Sequence, residues 1–439
     1  MENGINERLL AFIAASPTAF HACQNLAERL RGEGYTEVLE QEDWALQPGG
    51  KYFVRRNGSA LLAFRIPQGG VKGFLMMAAH ADSPSFKVKE HAAVPTAGMY
   101  TRLNVEKYGG MLCASWMDRP LSVAGRVAVR ENGRIVMKLV NVDRDLLLIP
   151  HVAIHMDRSV NDGKKFDPNV DMLPLFGDAA AGERFDAMIA EEAGAAAEDV
   201  LATDLFLYPR TPGTVWGGAG EYLSSPRLDD LQCVFGCTEG FLQAGNGDST
   251  PILCVFDNEE VGSGTKQGAD SSFLEDTLSR ICESVGVALR PCLARSFLVS
   301  ADNAHAVHPN HPEYADRNDR PEMNKGIVVK FNANQRYTTD AVSAAVFTEL
   351  CRKVGVPTQR FTNRADMPGG STLGNISTAH VSVDSVDIGL AQLAMHSAYE
   401  TAGTRDTEYL IRAAAAFFGC RFERNADGIV LDTKGEGKA

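Results

Sequence analysis

The stretch Ile252-Leu-Cys-Val-Phe-Asp-Asn-Glu-Glu260-Val-Gly-Ser-Gly264 joins a short apolar run to three carboxylates and a glycine turn. Ile252 to Phe256 reads as a buried strand. Asp257, Glu259 and Glu260 then stand where that strand leaves its sheet. Adjacent glutamates there are costly unless something compensates their charge. A divalent metal is the simplest compensation, and it gives each glutamate a task, one as ligand and one as general base. An isolated Glu-Glu pair is more often a solvated acidic loop, so the surroundings decide.

The pattern recurs. Phe74 to Ala79 ends in His80-Ala-Asp82-Ser-Pro84, and Phe297 to Val299 leads into Ser300-Ala-Asp302-Asn-Ala-His305. Ile388 to Met395 is mostly apolar and stops at His396-Ser397. In open α/β sheets, ligands bind outside the carboxyl ends of strands. These apolar segments therefore deliver His, Glu, Asp and His toward one rim, which favours a metal site. His80 would bind through one ring nitrogen. Asp82, two residues on, points the same way along an extended chain and would accept the other ring N–H. Ser225-Pro-Arg-Leu-Asp229-Asp230 opens a helix, where Asp229 is either a cap or a carboxylate offering one oxygen to each of two metals. Zinc suits such mixed nitrogen and oxygen donors, with Mn or Co as alternatives.

The chain of 439 residues has room for two or three domains, and 44% apolar with 23% charged residues is ordinary globular composition. A net charge of −13 argues against nucleic acid and anionic membranes as partners. Nine scattered cysteines, mostly within apolar runs, fit reduced thiols in a cytoplasmic protein. The N-terminus lacks a basic region followed by an apolar one, and no apolar stretch approaches the length of a membrane span. Helices are expected before Ser16-Pro17 and from Thr18 to about Arg31. Arg126–Arg130 and Arg134–Val140 flank Asn132-Gly133 as a hairpin. An Ala- and Glu-rich helix is expected over Glu183 to Val200. The economical organisation is an α/β domain, residues 1–90 and 229–439, interrupted by a β-rich insertion at 91–228. Thr433–Ala439 reads as a frayed tail.

His80-Ala-Asp82-Ser-Pro84, Arg227-Leu-Asp229-Asp230, Asp257-Asn-Glu259-Glu260-Val-Gly-Ser263, Ser300-Ala-Asp302-Asn-Ala-His305-Ala-Val-His308-Pro-Asn310 and Leu393-Ala-Met-His396-Ser397 closely resemble the signatures of the aspartyl aminopeptidases. The resemblance runs in order from Ser16 to His396. It implies an α/β zinc-peptidase domain, with a mixed central sheet flanked by helices, interrupted by a β-rich dimerisation domain. It implies His80, Asp229, Glu260, Asp302 and His396 as ligands of two zinc ions, with Asp229 bridging and Glu259 as catalytic base. Peptides with an acidic N-terminal residue are the implied substrates, and a tetrahedral homododecamer built from dimers is the implied assembly.

Gly326-Ile-Val-Val-Lys330-Phe-Asn332 resembles the segment whose lysine faces the acidic side chain of the first residue. On bare sequence Lys330 is equally a solvated strand end. His155 matches a histidine that reaches a neighbouring subunit's active site, or is a strand residue of the insertion. His308 resembles a histidine near the site or its assembly contacts. Arg364-Ala-Asp366-Met367-Pro-Gly369-Gly370-Ser-Thr372 resembles the substrate loop, which brings in Met367 and Gly370. It lacks the Lys-Ser/Thr ending of a phosphate loop. Leu373 to His380 departs from the family pattern. A related metallohydrolase of other specificity and a non-catalytic shell are the competing readings, and the retention of Glu259 argues against the shell.

Overall fold

The computed structural model describes residues 2–367, 369–370, 372–425 and 427–433, so the expected frayed tail lies almost wholly outside the described residues. The run Phe74–His80 is buried along its whole length because it lies within a sheet covered on both faces. Leu75, Met77 and Ala79 join a core that includes the helices Ala19–Gly32, Leu228–Gln243 and Asp406–Gly419. Phe74, Met76 and Ala78 face the opposite core, with the helix Phe273–Ser284. A strand with two buried faces has no need of polar alternation, hence the continuous apolar sequence.

This central sheet has nine strands, in the order Thr36–Glu37, Lys51–Arg56, Ala60–Arg65, Thr250–Phe256, Phe74–His80, Phe297–Ala301, Asp384–Gly389, Ile327–Phe331 and Thr358–Thr362. The run from Thr250–Phe256 to Asp384–Gly389 is parallel, with antiparallel partners on both sides, so the sheet is mixed. The fold is α/β as expected. The helix Leu228–Gln243 packs closely on Asp406–Gly419 because glycines sit at the crossing. A Cβ at Gly240 would lie 2.4 Å from Ala414 Cβ.

A separate six-stranded sheet draws its strands from Ser85–Thr96 through Val200–Pro209 and has its own apolar core. Its hairpin turns at Asn132 and Gly133, both at positive φ, as the Asn-Gly signal requires. The expected helix over Glu183–Val200 is shorter: it spans Arg184–Glu192. Gly194 stops it at φ +58, and Val200 already begins a strand. Ile388–Met395 also differs from a single strand. The chain leaves the central sheet at Gly389 and enters a third sheet at Ala391–Leu393. That third sheet also holds Thr214–Trp216, Tyr222–Ser225, Glu400–Gly403 and Ala304–His305. Among the described residues, no helix is long and apolar enough to cross a membrane.

Candidate metal centre

Three neighbouring strands of the central sheet end at one rim. His80 closes Phe74–His80, Asp302 follows Phe297–Ala301, and the acidic turn follows Thr250–Phe256. Asn258 turns that chain at φ 63, and Glu259–Val261 forms a single 3-10 turn, so the two glutamates are not splayed as in an extended strand. Asp229 enters at the start of Leu228–Gln243, where Asp229 and Asp230 have non-helical backbone and share a cis peptide bond. His396 follows Ala391–Leu393 at φ 65. The sequence thus brings all five expected ligands to one place, by two different sheets and one helix start.

Asp229 turns its two oxygens to different histidines. Oδ1 lies 3.5 Å from His80 Nε2, and Oδ2 lies 3.4 Å from His396 Nε2. His396 Nε2 is also 3.3 Å from Glu260 Oε2. Among the described residues, ligand-type atoms gather within 4.8 Å of one another in three groups: His80, Asp229, Asp230 and Asp302; His80, Glu259 and Glu260; and Asp229, Glu260 and His396. The other ring nitrogen of each histidine is committed. His396 Nδ1 contacts the Gly110 carbonyl at 2.7 Å. His80 Nδ1 contacts the main-chain carbonyl of Asp82 at 3.1 Å, with its carboxylate at 3.3 Å. Asp82 therefore orients the ring with its main chain more closely than with the carboxylate assigned from sequence.

The Asp82 carboxylate has another task. It accepts the backbone N–H of Glu259 at Oδ1 and of Glu260 at Oδ2, each at 3.1 Å. Tyr108 Oη donates to Oδ2 at 2.7 Å and accepts from Asn258 Nδ2 at 2.8 Å. Buried Asp230 accepts the His80 backbone N–H at 3.2 Å. Such partners fix where ligands point.

The electrostatics are those of an anionic cluster needing a cation. Burial, with neighbouring carboxylates adding to it, pushes Glu259 up to about 8 and Glu260 well above its usual range. Asp302 is raised, chiefly by burial. Burial opposes charge on His396, but its bond to Asp229 lifts it to about 9. Burial also opposes ionisation of Asp229, yet the two imidazoles 3.4–3.5 Å away, His396 and His80, hold the carboxyl below the usual range. Asp229 Oδ1, Asp230 Oδ1 and Glu260 Oε1 are buried without a hydrogen-bond partner among the described residues. Orphaned buried oxygens beside two imidazoles suit divalent metal, and this donor set fits zinc.

A cavity of about 370 Å³ joins Glu259, Glu260, Asp302 and His396 to Lys330, Tyr337 and Gly370. Lys330 is 3% exposed and donates to the Asn303 carbonyl at 2.8 Å. Burial works against its charge, but Asp302 outweighs this and its pKa is raised. Lys330 is thus a site group and no solvated strand end. Met367 is exposed and lines the adjoining cavity with Phe331, Asn332 and Gly369. His155 is exposed within the insertion, and His308 is exposed with Nδ1 accepting from the Asn310 N–H at 3.2 Å. Neither lines the metal cavity.

Sequence reasoning missed Glu400 and Asp387. Glu400 accepts backbone N–H groups from both Asp229 and His396. Fully buried Asp387 accepts from Thr338 and Thr372, and so ties the cavity wall beside Tyr337 to the loop after Gly370. An aspartate inside the apolar run Val386-Asp-Ile388 was a usable signal. Glu400 offered none except its closeness to His396.

Comparison with known proteins agrees with this geometry. The family model described as aminopeptidase I zinc metalloprotease (M18) matches residues 12–418. The probable M18 family aminopeptidase 2 of Clostridium acetobutylicum is 44% identical over 425 residues, covering 94% of this chain and 98% of that protein. Its Clostridium novyi counterpart is 42% identical over 433 residues, covering 95% and 100%. Among solved structures, the chain in the Ape4 and Nbr1 complex superposes with a TM-score of 0.92 at 35% identity, covering 95% of this chain and 86% of that one. The mApe1 dodecamer of S. cerevisiae gives a TM-score of 0.84 at 28% identity, covering 95% and 96%. The chain belongs to the M18 family of zinc metallo-aminopeptidases.

Proposed function

We propose that this aminopeptidase removes N-terminal Asp or Glu from peptides at a centre of two zinc ions, with Mn or Co as possible replacements. The observation that carries the reading is Asp229, whose two oxygens face His80 and His396 separately. His80, Asp229 and Asp302 would hold one ion, and Asp229, Glu260 and His396 the other. Ions bound there supply charge neutralisation and lower the pKa of bound water. Glu259 takes the proton of the attacking water and returns it to the leaving amine. Burial and the neighbouring carboxylates raise its pKa in the metal-free protein, and cations held by those carboxylates would bring the group back toward the ionised form that a base needs. Asp82 holds its backbone in place.

Lys330 meets the acidic side chain of the first residue within the cavity, where burial strengthens charge pairing. Gly370 and Met367 line the approach, His155 reaches a neighbouring subunit's active site to meet substrate there, and His308 serves the site or its assembly contacts. We read residues 1–90 and 229–439 as the peptidase domain and 91–228 as the dimerisation domain, with the strand Ser85–Thr96 crossing the first boundary and Tyr222–Ser225 pairing with Glu400–Gly403 across the second. The mApe1 dodecamer supports a homododecamer built from dimers. Nine free cysteines, all but Cys113 buried, favour the cytoplasm. The test is a panel of N-terminal aminoacyl chromogenic substrates, with chelator and then with Zn, Mn or Co restored. Chelator-sensitive activity confined to Asp and Glu is expected. Activity on Leu or Ala instead would retain the peptidase and discard the acidic preference.

A further inference from the structure

The strand Glu400–Gly403 lies between Tyr222–Ser225 and Ala391–Leu393 in the third sheet. The first neighbour runs on into Asp229 and the second into His396. Glu400, the first residue of the middle strand, uses both carboxylate oxygens across this gap. Oε2 accepts the Asp229 N–H at 3.0 Å, and Oε1 accepts the His396 N–H at 2.7 Å. The side chain is 2% exposed. It does not line the metal cavity but a second one behind it, shared with Arg227. Glu400 is thus a clamp on the main chain of two ligands and touches neither substrate nor the reacting atoms.

We infer that Glu400 is a positioning residue that sets the distance between Asp229 and His396, and thereby the affinity of the ion held by Asp229, Glu260 and His396. This rests on the two-ion reading above. Asp229 and His396 come from separate elements, a helix start and a loop after a short strand. Pairing with Glu400–Gly403 spaces the two strands, and the Glu400 carboxylate, bonded to both main chains, carries that spacing on to the ligands beyond the strand ends. Asp229 serves both ions, but His396 serves only one and the His80 side has its own tether in Asp230, so loss of Glu400 falls more heavily on the ion at His396.

Glu400→Gln tests this, because an amide has one oxygen to accept with and an NH2 group that cannot accept. Zinc is titrated alone against a competing chelator, with no substrate present, and the unfolding midpoint of the metal-free protein is measured in parallel. The second zinc is expected to bind about ten- to a hundredfold more weakly, the usual effect of losing a ligand's supporting partner. The first zinc weakens less than the second, and the metal-free midpoint stays close to that of the unmodified protein. Unchanged affinity for both ions would overturn the inference. So would an equal loss for both that tracks a lowered midpoint, since that marks a merely structural role. If Glu400→Gln does not fold, Glu400→Asp, too short to span both N–H groups, takes its place, and failure of both to fold also overturns it. A single zinc in the unmodified protein would defeat the two-ion reading itself, whereas the other contrary results defeat only the role of Glu400.

Discussion

Lys330 Nζ lies 3.6 Å from Oδ2 of Asp302, so the buried cation of the cavity stands directly beside an expected metal ligand. Once Asp302 faces a metal, its charge is shared and Lys330 is free to meet a second carboxylate. Lys330→Ala should therefore lower kcat/KM on Asp-peptides about ten- to hundredfold, the worth of one charge-assisted hydrogen bond. The loss on neutral first residues should be much smaller. Equal losses on both would make Lys330 a support for Asp302 alone.

Asp82 takes two backbone N–H groups and the Tyr108 hydroxyl, and an asparagine has only one oxygen to offer. Asp82→Asn should cost about ten- to hundredfold in metal affinity or turnover. Chelator titration together with kcat checks this. Near-normal values for both would mean that the Asn258–Val261 turn holds itself.

The metal-free protein should weaken as pH rises. Glu259 and Glu400, raised mainly by burial, reach about 8, and His396, lifted by Asp229 against its burial, reaches about 9. All three folded values exceed the unfolded ones, so the native state holds more protons in that range. The associated stability is fully present below the unfolded values, about 4.5 for the glutamates and 6.5 for His396, and is lost progressively as pH climbs from there to about 8 to 9. Zinc replaces those protons and binds more tightly as they leave. The gap in unfolding midpoint between zinc-loaded and chelated protein should widen from about pH 6 to about pH 9. A constant gap would contradict this account.

Gly240 is needed for helix packing. A Cβ there meets Ala414 Cβ at 2.4 Å and the Ile411 carbonyl oxygen at 2.8 Å, and the backbone oxygen cannot swing aside. Gly240→Val should cost about 1–3 kcal/mol or more by overpacking. Chemical denaturation measures it, and an unchanged midpoint would mean that the two helices separate freely.

Much of this was legible in the sequence, for a reason the fold makes plain. Where a buried parallel strand ends in His80, Asp302 or Asp257, the apolar run and the polar ending are contiguous, so motif and position are read together. The Asn132-Gly133 hairpin was legible because its turn chemistry is local. Glu400 was not, since its meaning comes from two strands that flank it in a third sheet. The Ala-rich segment after Glu183 invited a longer helix by propensity, but Gly194 and the strand pairing from Val200 prevailed. Whether Asp229 caps its helix or bridges two metals stood open in the sequence, because only the fold sets its two oxygens beside His80 and His396.

The central claim is that Glu259 moves the proton while Asp229, Glu260 and Asp302, with the two histidines, hold metal. Glu259→Gln keeps size and backbone bonding but removes the base. Measured together, zinc content should match the unmodified protein and kcat should fall at least about a hundredfold, the low end of what general acid–base catalysis contributes. Turnover within a few-fold of normal at full zinc occupancy would contradict the account.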